Sequence, residues 1–83
     1  MRTKKAEAEL TAEEIIDRYG DMVYRLAVSQ AMNRTDADDI FQEVFVRLVR
    51  HVKDLQDMEH AKAWLIRVTI NCTKKHFGQY WNK

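Results

Sequence analysis

Apolar residues recur at steps of three and four along most of the chain, the period of helix rather than strand. The clearest run is Thr35 to Val52. There Ala37, Ile40, Phe41, Val44, Phe45, Leu48, Val49 and Val52 form one unbroken stripe. Thr35 followed three residues later by Asp38 is close to a capping box, and Asp36, Asp38 and Asp39 suit the positive end of a helix dipole. A helix is expected over this run, with its stripe inward. Its opposite face carries Asp39, Gln42, Glu43, Val46 and Arg50, which fits an element that both holds a core and meets a partner.

A preceding helix is expected from about Ala12, because Thr11 to Glu14 reads as a T-x-x-E capping box. Its stripe is Ile15, Ile16, Tyr19, Met22, Val23, Leu26 and Ala27. Gly20 inside it costs about 1 kcal/mol relative to Ala, which points to close packing or a local irregularity. Asn33 and Arg34 make a short polar connection, so the two helices should form an antiparallel hairpin. Lys53 to Glu59 reads as a second polar loop.

A third helix is expected from about His60 to Phe77, with Gly78 as its C-cap. Two apolar stripes run along it, one of Ala61, Trp64, Leu65, Val68 and Cys72, the other of Ala63, Ile66, Ile70 and Phe77. Between them lie two polar strips, Lys62, Thr69 and Thr73 on one side and Arg67, Asn71 and Lys74 on the other. Two apolar sides call for two packing partners. The second could be another chain, further sequence, or the segment Gln79 to Lys83 with its Tyr80 and Trp81.

The fold class is therefore all-α: one compact domain of three helices, with room for a short fourth. Residues 1–10 read as a charged lead-in, 11–78 as the helical domain and 79–83 as a tail or linker. With 83 residues, a single domain is the sensible count, and no Pro and two Gly leave little to interrupt helices. Cys72 stands alone, which rules out an internal disulfide and fits a reducing, cytoplasmic location. No apolar run approaches the roughly 20 residues that span a bilayer, and Met1 to Leu10 lacks the apolar centre of a secretory signal. No membrane insertion is expected.

Charge adds an asymmetry that the net value of +1 conceals. From His60 onward come Lys62, Arg67, Lys74, Lys75 and Lys83 with no acid, a balance of +5; the nine basic and thirteen acidic residues before it give −4. Either the parts meet different partners, one of them polyanionic, or they attract each other within the fold. Little argues for chemistry. Cys72 and His76 are four apart, as in half a metal site, but no further Cys exists and His51 and His60 lack motif spacing. No nucleophile–base set, Gly-rich phosphate loop or paired-carboxylate motif appears, so no enzyme activity, cofactor or metal is expected.

Three blocks in order, Tyr19 to Ala27 (YGDMVYRLA), Asp36 to Leu48 (DADDIFQEVFVRL) and Ala63 to Asn71 (AWLIRVTIN), resemble region two of bacterial sigma factors of the extracytoplasmic-function group. The D-x-x-Q-E-x-F core at Asp39, Gln42, Glu43 and Phe45 is the most specific part. The resemblance implies a domain that docks on the clamp helices of the RNA polymerase β′ subunit and captures the minus-ten promoter element as DNA opens. It implies that Asp39, Gln42 and Glu43 face the polymerase, with Val46 and Arg50 beside them; the alternative for Glu43 is an intrahelical pair with Arg47 or Arg50. It also directs the loop Leu55 to Glu59 and the third helix toward DNA. Lys62, Arg67, Lys74 and Lys75 then neutralise phosphates, and Asn71 is the first choice to read an unpaired base, ahead of Asp57, Glu59 and His60. Trp64 could stack on a base, but it shares a stripe with Leu65 and Val68 and is expected in the core. Three departures bear on the DNA face. The loop offers Leu55 and Met58 rather than an aromatic, Ile70 stands where a basic residue is common, and Lys74 and Lys75 replace an apolar–acidic pair. The family's second domain, a helix-turn-helix for the minus-thirty-five element, has no counterpart here, so an excised domain or an absent remainder is expected. A rival reading is a helical interaction module, for example one covered by an anti-sigma factor, with no DNA binding of its own.

Overall fold

In the computed structural model, residues 10–81 are described, with side chains through His76. Three helices account for nearly all of them: α1 (Ala12–Gln30), α2 (Arg34–His51) and α3 (Met58–Trp81). A single 3₁₀ turn, Val52–Asp54, follows α2 and is the short extra helix for which the sequence left room. The fold is all-α.

The T-x-x-E signal starts α1 as expected. Thr11 Oγ1 accepts the Glu14 N–H at 3.1 Å, and Glu14 Oε1 accepts the Thr11 N–H at 3.3 Å, so two donors that the first turn would orphan are satisfied. The start of α2 differs from expectation. Asn33, not Thr35, is its cap, with Oδ1 accepting the Asp36 N–H at 2.8 Å. Asn ranks above Thr at this position, and capping from Asn33 adds Arg34 and Thr35 to the helix. The hairpin is then closed by Ala31 to Asn33 alone, and Tyr24 meets both Asp38 and Phe41 across it.

All three helices contribute to one core. Ile15, Val23 and Ala27 come from α1, Ala37, Ile40, Val44 and Leu48 from α2, and Ala61, Leu65, Val68 and Cys72 from α3, with Leu55 closing the end. Leu10, the described end of the expected lead-in, packs half-buried against it; the remainder of that lead-in lies outside the described residues. Each fully buried Ile or Leu contributes roughly 1.5–3 kcal/mol. The core sets the rotation of α2 and α3, and hence what each presents outward.

That rotation corrects several expectations. Phe45 and Val49 belong to the expected stripe of α2, yet they are 39% and 52% exposed. At 100° per residue they lie at the far edge of the arc centred on Ala37, Val44 and Leu48. On α3, Thr69 and Thr73 leave their expected polar strip and are buried. Their hydroxyls donate to Leu65 O at 2.7 Å and Thr69 O at 2.9 Å, so no polar atom is orphaned while each methyl faces the core. The second α3 stripe is only half-buried at Ile66 and Ile70 and exposed at Ala63; Phe77, Tyr80 and Trp81 have side chains outside the described set. Nor does Gly78 end α3, which runs on to Trp81 because Gln79 and the two aromatics impose no break. Within α1, Gly20 marks no irregularity and no helix contact: a Cβ there would meet Ile16 Cγ2 at 3.3 Å, on the same helix.

Candidate functional site

Two surfaces emerge. On α2 the outward strip holds Asp39, Gln42, Val46 and Arg50, all exposed as the sequence implied. Glu43 is half-buried instead, because Arg47 Nε bonds its Oε2 at 3.0 Å; this is the intrahelical pair. Phe45 and Val49, which sequence reasoning had assigned inward, flank Val46 and Gln42 and make the strip substantially apolar. Their angular offset from the stripe centre was the available signal. At the start of α2, Asp36 is buried and accepts a bond from His76 Nε2 at 3.1 Å, which fastens α2 to α3 across forty residues. Tyr24 donates from its hydroxyl to Asp38 Oδ1 at 2.8 Å, and that bond to a carboxylate raises its pKa.

On α3, Arg67, Asn71 and Lys74 are exposed at steps of four and three and form one row along the outer ridge. Lys75 does not join them. It lines a cleft of about 180 Å³ with Asp39, Ile40, Glu43, Cys72 and His76, where α2 supplies carboxylates beside it. Cys72, 3% exposed at the base of this cleft, has its thiol pKa raised first by burial. Lys62 and Glu59 are also off the row, in a cleft with Tyr19, Ala63 and Ile66.

Asp57 and His60 are engaged locally. Asp57 Oδ1 accepts the His60 N–H at 2.8 Å as the cap of α3, and His60 Nδ1 accepts the Gln56 N–H at 3.1 Å. A ring nitrogen that accepts carries no proton, so this imidazole is bound in its Nε2–H form. Both residues shape the loop through one atom each, Asp57 Oδ1 and His60 Nδ1. Leu55 is buried and Met58 half-buried, so neither offers a stacking surface. Trp64 is half-buried with its ring 6.0 Å from that of His51, which places it mainly in the packing between α3 and the end of α2.

The arrangement pairs a mixed apolar–polar strip on one helix with a basic, acid-free ridge on the next. Residues 15–82 match the sigma-70 region 2 family. The chain belongs to that family. It is 39% identical over 59 residues to the ECF RNA polymerase sigma factor SigE of Mycolicibacterium smegmatis, covering 71% of this chain and 23% of that protein. It is 31% identical over 72 residues to the ECF RNA polymerase sigma factor SigW of Bacillus subtilis, covering 87% and 38%. The Bacillus subtilis ECF RNA polymerase sigma factor SigM is 34% identical over 62 residues, 75% of this chain and 37% of the relative. All three relatives are ECF RNA polymerase sigma factors. The chain spans well under half the length of each relative. No solved structure matches it significantly. Among the described residues no helix is long and apolar enough to cross a membrane.

Proposed function

We propose that this chain is the promoter-recognition domain of an alternative sigma factor acting in the cytoplasm. It docks on the β′ clamp helices of RNA polymerase through the outward strip of α2 and holds the opened minus-ten element along α3. The observation that carries the reading is the strip Gln42, Phe45, Val46 and Val49. An apolar centre with a polar rim of Asp39 and Arg50 has the composition of an interface core. Glu43 contributes only by exchanging Arg47 for a polymerase partner. The Arg67, Asn71 and Lys74 row supports the DNA arm: its cations face phosphate, and Asn71 has the donor and acceptor needed to read a base edge. Lys75, Lys62 and Glu59 serve from the flanks, while Asp57 and His60 hold the preceding loop in shape.

Co-purification with the β′ clamp helices tests the dock: Gln42→Ala combined with Val46→Asp should abolish capture with the helical content unchanged. Capture at wild-type level sinks it. A second reading, a module covered by an anti-sigma factor, draws on exposed Val28 and Met32, 49% and 75% accessible near the α1–α2 turn. Salt-sensitive binding of single-stranded oligonucleotides is expected from the first reading and not from a pure interaction module.

A further inference from the structure

The outward row of α2 has a symmetry that docking on a different protein does not require. At 100° per residue, Asp39, Gln42, Val46, Val49 and Arg50 lie within about 60° of the line opposite the buried Ala37, Val44 and Leu48. Exposed Lys53 extends the row into the 3₁₀ turn. Asp39 and Lys53 stand seven residues to either side of Val46, an acid toward the start of the helix and a base beyond its end. Between them Phe45, Val46 and Val49 are exposed, three of the five large apolar side chains that are so among the described residues. Nearby charges are committed: Asp38 to Tyr24, Glu43 to Arg47 and His51 to Asp54. Asp39, Gln42, Arg50 and Lys53 make no side-chain hydrogen bond or ion pair among the described residues. An apolar middle with an acid and a base at equal distances is complementary to its own copy turned end for end.

We propose that this strip also takes a second copy of the chain, paired antiparallel through α2 about a two-fold axis at Val46. Such an axis sets Asp39 against Lys53 of the partner subunit, twice over, and Val46 against its own counterpart. It keeps Phe45 and Val49 of both copies on one side of the contact. On the other side it brings Arg50 beside Glu43 of the partner subunit. A parallel pair would set acid on acid and base on base, and would align the helix dipoles unfavourably. The contact is one helix wide, well below the roughly 1,200 Å² of a stable specific interface. The pair is therefore weak, with a dissociation constant on the order of tens of micromolar. Because it covers the strip assigned to β′, a paired copy is closed to the polymerase, and self-association competes with docking. The pairing stands on the symmetry of the row; the competition rests on the proposed β′ dock.

Sedimentation velocity on the 83-residue chain, loaded from about 1 to 500 μM at low salt, tests the pairing. Wild type should move toward twice the monomer mass as concentration rises. Asp39→Lys and Lys53→Asp, both at exposed positions, should each weaken the pair about tenfold, since two attractions become two repulsions. Mixed in equal amounts, the two variants should pair with each other at close to wild-type affinity, because opposite charges meet again at both ends. Circular dichroism shows that each variant is folded. The pairing is overturned if wild type stays monomeric across the range, if either reversal alone leaves the affinity as it was, or if the mixture is no tighter than its components. A β′ clamp-helix fragment then separates the two readings, and it should dissolve the dimer in step with its own binding. If the fragment binds and a dimer that passed the charge test survives, the competition is overturned and the pairing stands. If the fragment binds a chain that never dimerises, the pairing is overturned and the dock stands.

Discussion

Truncating Phe45 to Ala separates docking from folding by a calculable amount. A Phe side chain presents roughly 150–250 Å², and this one is 39% exposed. About 60–100 Å² therefore remains for a partner to cover, which at about 25 cal/mol per Å² amounts to roughly 1.5–2.5 kcal/mol. The affinity for a β′ clamp-helix fragment should fall about ten- to sixtyfold. Phe45 is not among the side chains packed on the core, so the same change should lower stability by no more than about 1 kcal/mol. Titration calorimetry on protein shown by circular dichroism to be folded at the working temperature separates the two effects. The heat-capacity change of binding should become less negative, the mark of apolar area lost from the interface. Val49→Thr gives an independent check, since its side chain is 52% exposed and changes little in volume. If folded Phe45→Ala and Val49→Thr both bind within twofold of wild type, the apolar strip is not the dock.

Leu65, fully buried where the three helices meet, should cost about 2–5 kcal/mol as Leu65→Ala, enough to unfold much of a domain this small in a thermal melt. Asp57→Ala removes the α3 cap and should cost about 1 kcal/mol, with faster amide exchange at His60 measured by NMR. Gly20→Ala should stabilise by up to about 1 kcal/mol, since its one close neighbour is the Ile16 branch; a lower melting temperature would show that Ile16 cannot yield. Burial raises the Cys72 pKa in the fold, so its contribution to stability is complete below the ordinary thiol range. That contribution is lost as pH rises through the folded-state value, because the unfolded thiol ionises first. Denaturant titrations from pH 7 to 10 should show a falling midpoint that is flatter in Cys72→Ala.

Much of the fold was legible because local signals agreed with the global one. Thr11 and Glu14 cap α1 as their spacing requires, and Ala37, Ile40, Val44 and Leu48 are buried as their period requires. What escaped were choices between near-equivalent local chemistries. Asn33 and Thr35 can both cap, and only the finished turn decides for Asn33. Threonine is polar by composition, yet Thr69 and Thr73 satisfy their hydroxyls on their own helix and so are free to be buried. The site divides in the same way. Exposure of Asp39, Gln42, Val46, Arg50, Arg67, Asn71 and Lys74 followed from helix faces, whereas the local engagement of Glu43, Asp57 and His60 depends on side-chain geometry that spacing does not fix. Phe45 and Val49 were misassigned because an apolar residue at the edge of a stripe looks the same in sequence whether it faces a core or a partner.

The central claim is that α3 reads sequence in single-stranded DNA. Selection of bound strands from a randomised pool, by wild type and by Asn71→Ala in parallel, tests it most directly. The account predicts a short enriched motif for wild type and none for the variant. With Arg67 and Lys74 of the row and Lys62 and Lys75 on its flanks facing phosphate, both proteins should retain binding that weakens with salt at a log–log slope of about −3. Enrichment of the same motif by Asn71→Ala would contradict the assignment of the reader, and the absence of any motif from wild-type selections would contradict the claim itself.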